Sequence, residues 1–222
     1  MPLHWSIVPC VLLGALIIGG LGCQGPSSSR QLSETLRPTI IKQPANFANR
    51  TFDPASPPPD MPPLTSGENA ECDSDFRSSA SVGGETRPTD ATHAAVTVTQ
   101  IKVTLQLNIT IWVPTGVTPH VIEHEDGHRQ ISEFYYQAAD KLAERIAARY
   151  MGKQLDVAGT DMDAESKKLL QQMATDITVE YNKELNPGPT QLLYDDITEH
   201  SRNDVVSKDA VAHALKNVTI EM

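Results

Sequence analysis

Apolar residues occupy alternate positions from Ile101 to Val113: Ile101, Val103, Leu105, Leu107, Ile109, Ile111 and Val113, with Lys102, Thr104, Gln106, Asn108 and Thr110 between them. A period of two puts every second side chain on one face of a pleated strand, so this run predicts a half-buried strand. Val96 and Val98 fall in the opposite phase, which predicts a bulge or turn near Gln100. Pro114 and Gly116 end the strand.

Beyond Gly116 the period becomes helical. Thr118-Pro119 supplies a capping residue followed by proline in the first turn, and the predicted helix runs from there to about Tyr150. Its apolar stripe, Ile131, Tyr135, Ala138, Leu142 and Ile146, advances in steps of three and four. A second helix is predicted over roughly Asp161 to Leu185, with Leu169, Met173, Ile177, Tyr181 and Leu185 in line, and Asn186-Pro187-Gly188-Pro189 stops it. The tail holds a segment from Tyr194 to His200 and a last short helix near Val205–Lys216. The expected class is α+β: a small twisted sheet packed on long helices.

The first 90 residues carry a different pattern. Ile7 to Leu21 is an apolar run, short for a spanning helix, which needs roughly 20 residues, and suited to the core of a signal peptide. Gly20-Leu21-Gly22-Cys23 resembles a lipoprotein cleavage box, although Gly20 stands where Leu is usual and Met1–Trp5 has no Lys or Arg. Residues 1–23 are therefore expected to direct export to the periplasm or cell surface, with Cys23 as the attachment point for a membrane lipid. Ten of the 16 prolines fall between Pro26 and Pro88, so residues 24–90 are expected to form a mostly disordered tether or arm. The compact domain is then residues 91–222. Cys72 has no obvious disulfide partner. A net charge of −10 argues against a nucleic-acid partner, which requires clustered Lys and Arg.

The chemistry is concentrated in His124-Glu125-Asp126-Gly127-His128. Residues four apart share a helix face, so two imidazoles can reach one metal ion. The apolar stripe extrapolates back through His128 and His124, which places both against the interior, where an unpartnered imidazole is costly and a metal supplies the partner. Glu125 flanks that face and suits a general base acting on a metal-activated water. Gly127 costs roughly 1 kcal/mol inside a helix, which implies that something packs close to the backbone there. His120 is expected to cap an exposed first turn, and Glu123 and Asp126 to be solvated or to sit behind the ligands.

A metal site of this kind needs a third protein ligand. The spacing leaves its identity open. Ile131 and Phe134 stand where a metzincin has Gly and His. Glu165 and Glu180 lie on the following helix without a recognisable frame, and an aspartate near Asp161 or Asp163 misses the aspzincin spacing by one residue.

The His-Glu-x-Gly-His helix is followed some seventy residues later by Tyr194-Asp195-x-x-Thr198-x-His200. This pair of motifs resembles a bacterial family of predicted secreted zinc-dependent proteases, itself largely of unknown function, over about Val96 to Ser201. One departure is Ser201, where the family tends to have Gly. The resemblance implies a zincin-like fold, Zn2+ as cofactor, His200 as the third ligand beside His124 and His128, and peptide-bond hydrolysis. Tyr194 is then a candidate oxyanion donor, with a core position as the alternative, and Asp195 a candidate orienter of a ligand histidine or a helix cap. The strand Ile101–Val113 is a candidate to hold a peptide substrate by main-chain pairing, provided it is an edge.

Together these features predict an exported zinc-dependent metallopeptidase, with Glu125 as general base and a peptide or protein as substrate. The competing expectation is a non-catalytic metal-binding or envelope interaction lipoprotein, for which His120 or Asp126 would close the site with a fourth ligand.

Overall fold

The computed structural model describes residues 36–64, 68–216 and 218. The expected signal segment and Cys23 lie outside the described residues. No helix among the described residues is long and apolar enough to cross a membrane.

A mixed five-stranded sheet is built around one long strand. In chain order the elements are β1 (Thr39–Lys42), β2 (Asn46–Phe52), β3 (Glu71–Pro88), β4 (His93–Pro114), α1 (Pro119–Gln137), α2 (Ala139–Ala148), β5 (Gln154–Ala158), α3 (Met162–Glu184), α4 (Gly188–Thr198) and α5 (Ser207–Leu215). β4 takes β1 and β2 as parallel partners and β5 as an antiparallel one. β3 pairs antiparallel along nearly the whole of β4, from Glu71↔Trp112 to Pro88↔Ala94. The α+β class therefore holds.

The predicted alternation on β4 is realised. Ile101, Val103, Leu105, Leu107, Ile109 and Ile111 are all fully enclosed and form one wall of the core. The bulge expected near Gln100 is present: Gly83 pairs with Gln100 but Gly84 with Val98, so the phase changes there and returns Val96 and Val98 to the interior. The opposing wall comes from the helices, through Ile131, Leu142 and Ile146 on α1 and α2 and Met173, Ile177 and Tyr181 on α3. Each such side chain, fully enclosed, is worth roughly 1.5–3 kcal/mol.

Three features differ from the sequence expectation. The arm over residues 24–90 is not mostly disordered in the part described, because residues 39–88 supply β1, β2 and β3. β1 and β2 bury little surface of their own; their backbone groups are satisfied by β4, so composition alone does not reveal them. β3 alternates Cys72, Phe76, Ala80 and Val82 against the core, with serines at Ser74 and Ser78 in the same phase that blunt the apolar signal. The long helix predicted to Tyr150 is interrupted at Ala138, and Lys42 of β1 donates to the carbonyl of Gln137 freed by that break (2.9 Å) and to Asp140 (2.8 Å). Finally, β4 is flanked on both sides and is not an edge; among the described residues β3 pairs with β4 alone and forms one edge of the sheet, with β1, β2 and β5 along the other.

Candidate metal centre

The site forms where α1 crosses α4. Gly127 makes the close crossing possible. A Cβ there would lie 2.5 Å from Tyr194 Cζ, nearer still to its hydroxyl, and 2.9 Å from Ser207 Oγ. With no side chain in the way, the Tyr194 hydroxyl donates to the carbonyl of His124 (3.1 Å) and Ser207 Oγ donates to that of Glu123 (2.9 Å). Tyr194 Oη and Ser207 Oγ also lie 2.9 Å apart, so the one Ser207 proton is shared between the Glu123 carbonyl and the tyrosine oxygen. The close packing expected at Gly127 is therefore this notch, which docks α4 and α5 on the motif helix.

On α4, Thr190, Tyr194 and Thr198 follow one another at steps of four and are buried against α1. Gln191 and Asp195, one position on and also four apart, turn toward the histidines and lie at the two ring nitrogens of His128. Gln191 Oε1 lies 2.6 Å from His128 Nδ1, and Asp195 Oδ1 lies 2.9 Å from His128 Nε2. Gln191 Nε2 donates to the His128 carbonyl (3.1 Å) and to Ser132 Oγ (3.0 Å), which orients its Oε1 as the acceptor toward the ring. His128 therefore carries its proton on Nδ1 and presents a lone pair at Nε2, the tautomer a metal requires.

His124 Nε2 completes a triangle, 3.2 Å from His128 Nε2 and 3.4 Å from Asp195 Oδ1. Bonds of about 2.0–2.2 Å to a tetrahedral cation set donor-to-donor edges of roughly 3.3–3.6 Å; the His124–Asp195 edge falls in that range, and the other two, at 3.2 and 2.9 Å, open to it by a shift of about 0.1–0.4 Å. Among the described residues Asp195 Oδ1 is enclosed and faces the imidazole nitrogens of His124, His128 and His200, so donor atoms of one kind converge on it. His124, His128 and Asp195 are thus a buried group that can hold a metal ion. The His124 ring stacks on Tyr194 with centroids 5.0 Å apart, which fixes its direction.

A cavity of about 470 Å³ opens onto this triangle. It is lined by five carboxylates, Glu68, Glu71, Asp73, Glu125 and Asp195, and by His124, His128 and His200, with no Lys or Arg. Glu125 is 5% exposed, and its carboxyl makes no hydrogen bond among the described residues. Burial pushes its carboxyl up to about 8, aided by the charges of Glu71, Glu68 and Asp195 and opposed by His128. Glu71 is likewise pushed up to about 7, first by burial and then by Glu68. Asp195 goes the other way: burial raises it, but the two imidazoles outweigh burial and hold it well below the usual carboxylate range. Burial lowers His124, whereas Asp195 outweighs burial at His128 and raises it.

The predicted site residues are thus placed unevenly. His124, Glu125 and His128 come together as the motif implied. The third corner is Asp195, not His200, because the Asp195 oxygen faces the Nε2 atoms while the orienting role expected of it falls to Gln191. His200 joins Asp195 and Glu68 in a separate group. Tyr194 is fully enclosed and absent from the cavity wall, and its hydroxyl is committed to His124 and Ser207, so it supports the centre from behind rather than facing a substrate. His120 bonds through Nε2 to the Asn203 carbonyl (2.9 Å), and Asp126 pairs with Arg129 (2.7 Å), so neither closes the site. Glu180 pairs with Arg149, Asp161 caps α3, and Asp163 and Glu165 lie in the first turn of that helix; none joins a metal-holding group.

The turn carrying His200 is strained. Glu199, His200 and Ser201 all adopt positive φ, at 49°, 54° and 62°. A left-handed residue with a side chain costs roughly 1–2 kcal/mol. Arg202 Nε donates to the Glu199 carbonyl (2.7 Å) and Asn203 Nδ2 to that of Ile197 (2.9 Å), and these bonds hold the turn closed. Ser201, where glycine was expected, is thus one of three residues that glycine would relieve.

Sequence reasoning missed Gln191, Glu68, Glu71 and Asp73. Gln191 had a signal, since it stands four residues before Asp195 on a helix opened by Pro187-Gly188. The three acids had none, because β3 had not been recognised. No protein-family profile, curated protein or solved structure matches this chain.

Proposed function

We propose that the chain is a zinc-dependent metallopeptidase, with His124, His128 and Asp195 as the metal ligands and Glu125 as the general base. The observation that carries this reading is the convergence of two imidazole nitrogens and one carboxylate oxygen at 2.9–3.4 Å, beside a buried carboxyl with no other partner. Two imidazoles and a carboxylate form a donor set that zinc accepts, and three protein ligands leave a position open. A zinc ion held there lowers the pKa of a water toward ~7 and polarises a carbonyl.

The residues supply the rest. Glu125 accepts a proton from water at its carboxylate and returns it to the leaving amine. Its raised pKa describes the metal-free cavity; a dication opposite favours the carboxylate form, so the base is ready when the site is filled. Gln191 keeps the His128 proton on Nδ1. Tyr194 fixes the His124 ring and is a positioning residue in this reading. Glu71, Cys72, Asp73, Ser74 and Phe76 of β3 line the cavity, and the side of that strand left unpaired among the described residues can pair with an extended peptide, the role expected earlier of the strand Ile101–Val113. Export and lipid attachment at Cys23 complete the proposal on sequence grounds alone.

The test is metal content by elemental mass spectrometry, alongside peptide hydrolysis. The expected result is bound zinc lost in His128→Ala, and hydrolysis lost with metal retained in Glu125→Gln. Retained hydrolysis in Glu125→Gln refutes the general base, and absence of metal uptake refutes the whole reading.

A further inference from the structure

A second set of donors meets in the same cavity. His200 Nδ1 lies 3.4 Å from Glu68 Oε1 and 3.6 Å from Asp195 Oδ1, and the three donor atoms all fall within 4.8 Å of one another. Both separations match the roughly 3.3–3.6 Å edge set by a cation at metal-bond distance. His200 Nδ1 and Asp195 Oδ1 are each enclosed and make no hydrogen bond. A buried imidazole nitrogen that makes no hydrogen bond costs about 1–3 kcal/mol, and the residue that carries it also sits at positive φ.

The charge of the cavity points the same way. One dication on the His124 triangle leaves Glu71, Asp73 and Glu125 facing one another across a space that, among the described residues, no Lys or Arg lines. Like charges in a partly dry cavity repel strongly, and a second cation relieves them. The two donor sets share Asp195, and a carboxylate common to both is the usual arrangement for two metal ions about 3.5–4 Å apart.

We propose that Glu68, Asp195 and His200 form a second divalent-cation site, joined to the first through Asp195, so that the cavity holds a pair of metal ions. One imidazole with two carboxylates suits a borderline or hard ion such as Zn2+ or Mn2+. Exposure distinguishes the two sites: the side chains of His200 and Glu68 are 34% and 20% exposed, against 6% and 14% for His124 and His128. The second ion therefore binds more weakly and exchanges faster. This inference rests on the first triangle being a metal centre.

The experiment strips the full chain with chelator, titrates it with Zn2+ or Mn2+ by calorimetry, and counts bound metal. The expected outcome is two ions per chain, the second at least tenfold weaker. His200→Gly removes the imidazole while suiting the positive φ, and Glu68→Gln removes a charge with little change of shape. Each should reduce the count to one and leave the tight site within about threefold. Saturation of the unaltered chain at one ion, or two ions persisting in both variants, overturns the second site and leaves the proposed peptidase standing. No uptake by the unaltered chain overturns both.

Discussion

Replacing Gly127 by alanine sets two opposed effects against each other. Alanine is the better helix former, by roughly 1 kcal/mol, and Gly127 lies inside α1. Against that gain, the new Cβ would fall 2.5 Å from Tyr194 Cζ, about 1.2 Å short of the ~3.7 Å at which carbons pack. A tyrosine tip normally yields to such a contact, but Tyr194 is fully enclosed and its ring stacks on His124. Overpacking of this kind costs about 1–3 kcal/mol. Displacing the hydroxyl also removes its bonds to the His124 carbonyl and Ser207, each worth roughly 1 kcal/mol. The net expectation is a loss of about 2–4 kcal/mol in chelated protein, read as a lower urea midpoint at unchanged slope. Because Asp195 adjoins Tyr194 on α4, metal affinity should fall at least tenfold in a competition titration. A Gly127→Ala variant as stable as the parent, with the same affinity, would refute the notch as the element that seats α4.

Asp195→Asn should weaken the first metal by more than a hundredfold, and Gln191→Ala by about 10–100-fold with little loss of fold, both read by competition with a chromogenic chelator; equal affinities for both variants would remove the distinction between ligand and orienter. Tyr194→Phe should cost about 1–2 kcal/mol of stability while turnover per folded molecule stays unchanged, and a large fall in turnover would restore the oxyanion role. In chelated protein, Glu125 binds its proton more tightly folded than unfolded. Its contribution to stability is therefore complete below pH about 4.5 and is lost as pH rises through about 8. Thermal scans across that window should show a decline that Glu125→Gln flattens; an unchanged slope refutes the assignment. Burial pushes the Cys72 thiol well up, so native protein should resist iodoacetamide at pH 7.5 and react only on unfolding.

The helices and the central strand were legible because each element owes its burial to its own periodicity. Ile101 to Ile111 and Leu169 to Leu185 carry their apolar faces in full, Thr118-Pro119 marks a start that the structure keeps, and Asn186-Pro187-Gly188-Pro189 a stop; the helix α4 that begins at Gly188 was not predicted. β1, β2 and β5 were not legible, because β4 satisfies their hydrogen bonds and their side chains bury little. β3 lay between, its alternation carried by Cys72, Phe76, Ala80 and Val82 but diluted by serine. At the site, the i,i+4 histidines were readable from one helix. The choice between Asp195 and His200 was not, since it depends on how α4 ends and on three left-handed residues that nothing in their identity announces.

The long free side of β3 bears on how the protein behaves in a crowd. A strand of 18 residues whose outer backbone groups are unpaired among the described residues invites another copy to add to it, and chains that do so grow into aggregates. Here the exposed margin carries Arg77, Glu85 and Arg87, with Asp73 and Asp75 half-buried near the cavity, and the irregularity at Gly83 and Gly84 bends the ladder partway along. Two such margins brought together in antiparallel register would have to match charges and a kink at once. The guard against such pairing is thus formed by the same polar residues that make β3 hard to recognise as a strand.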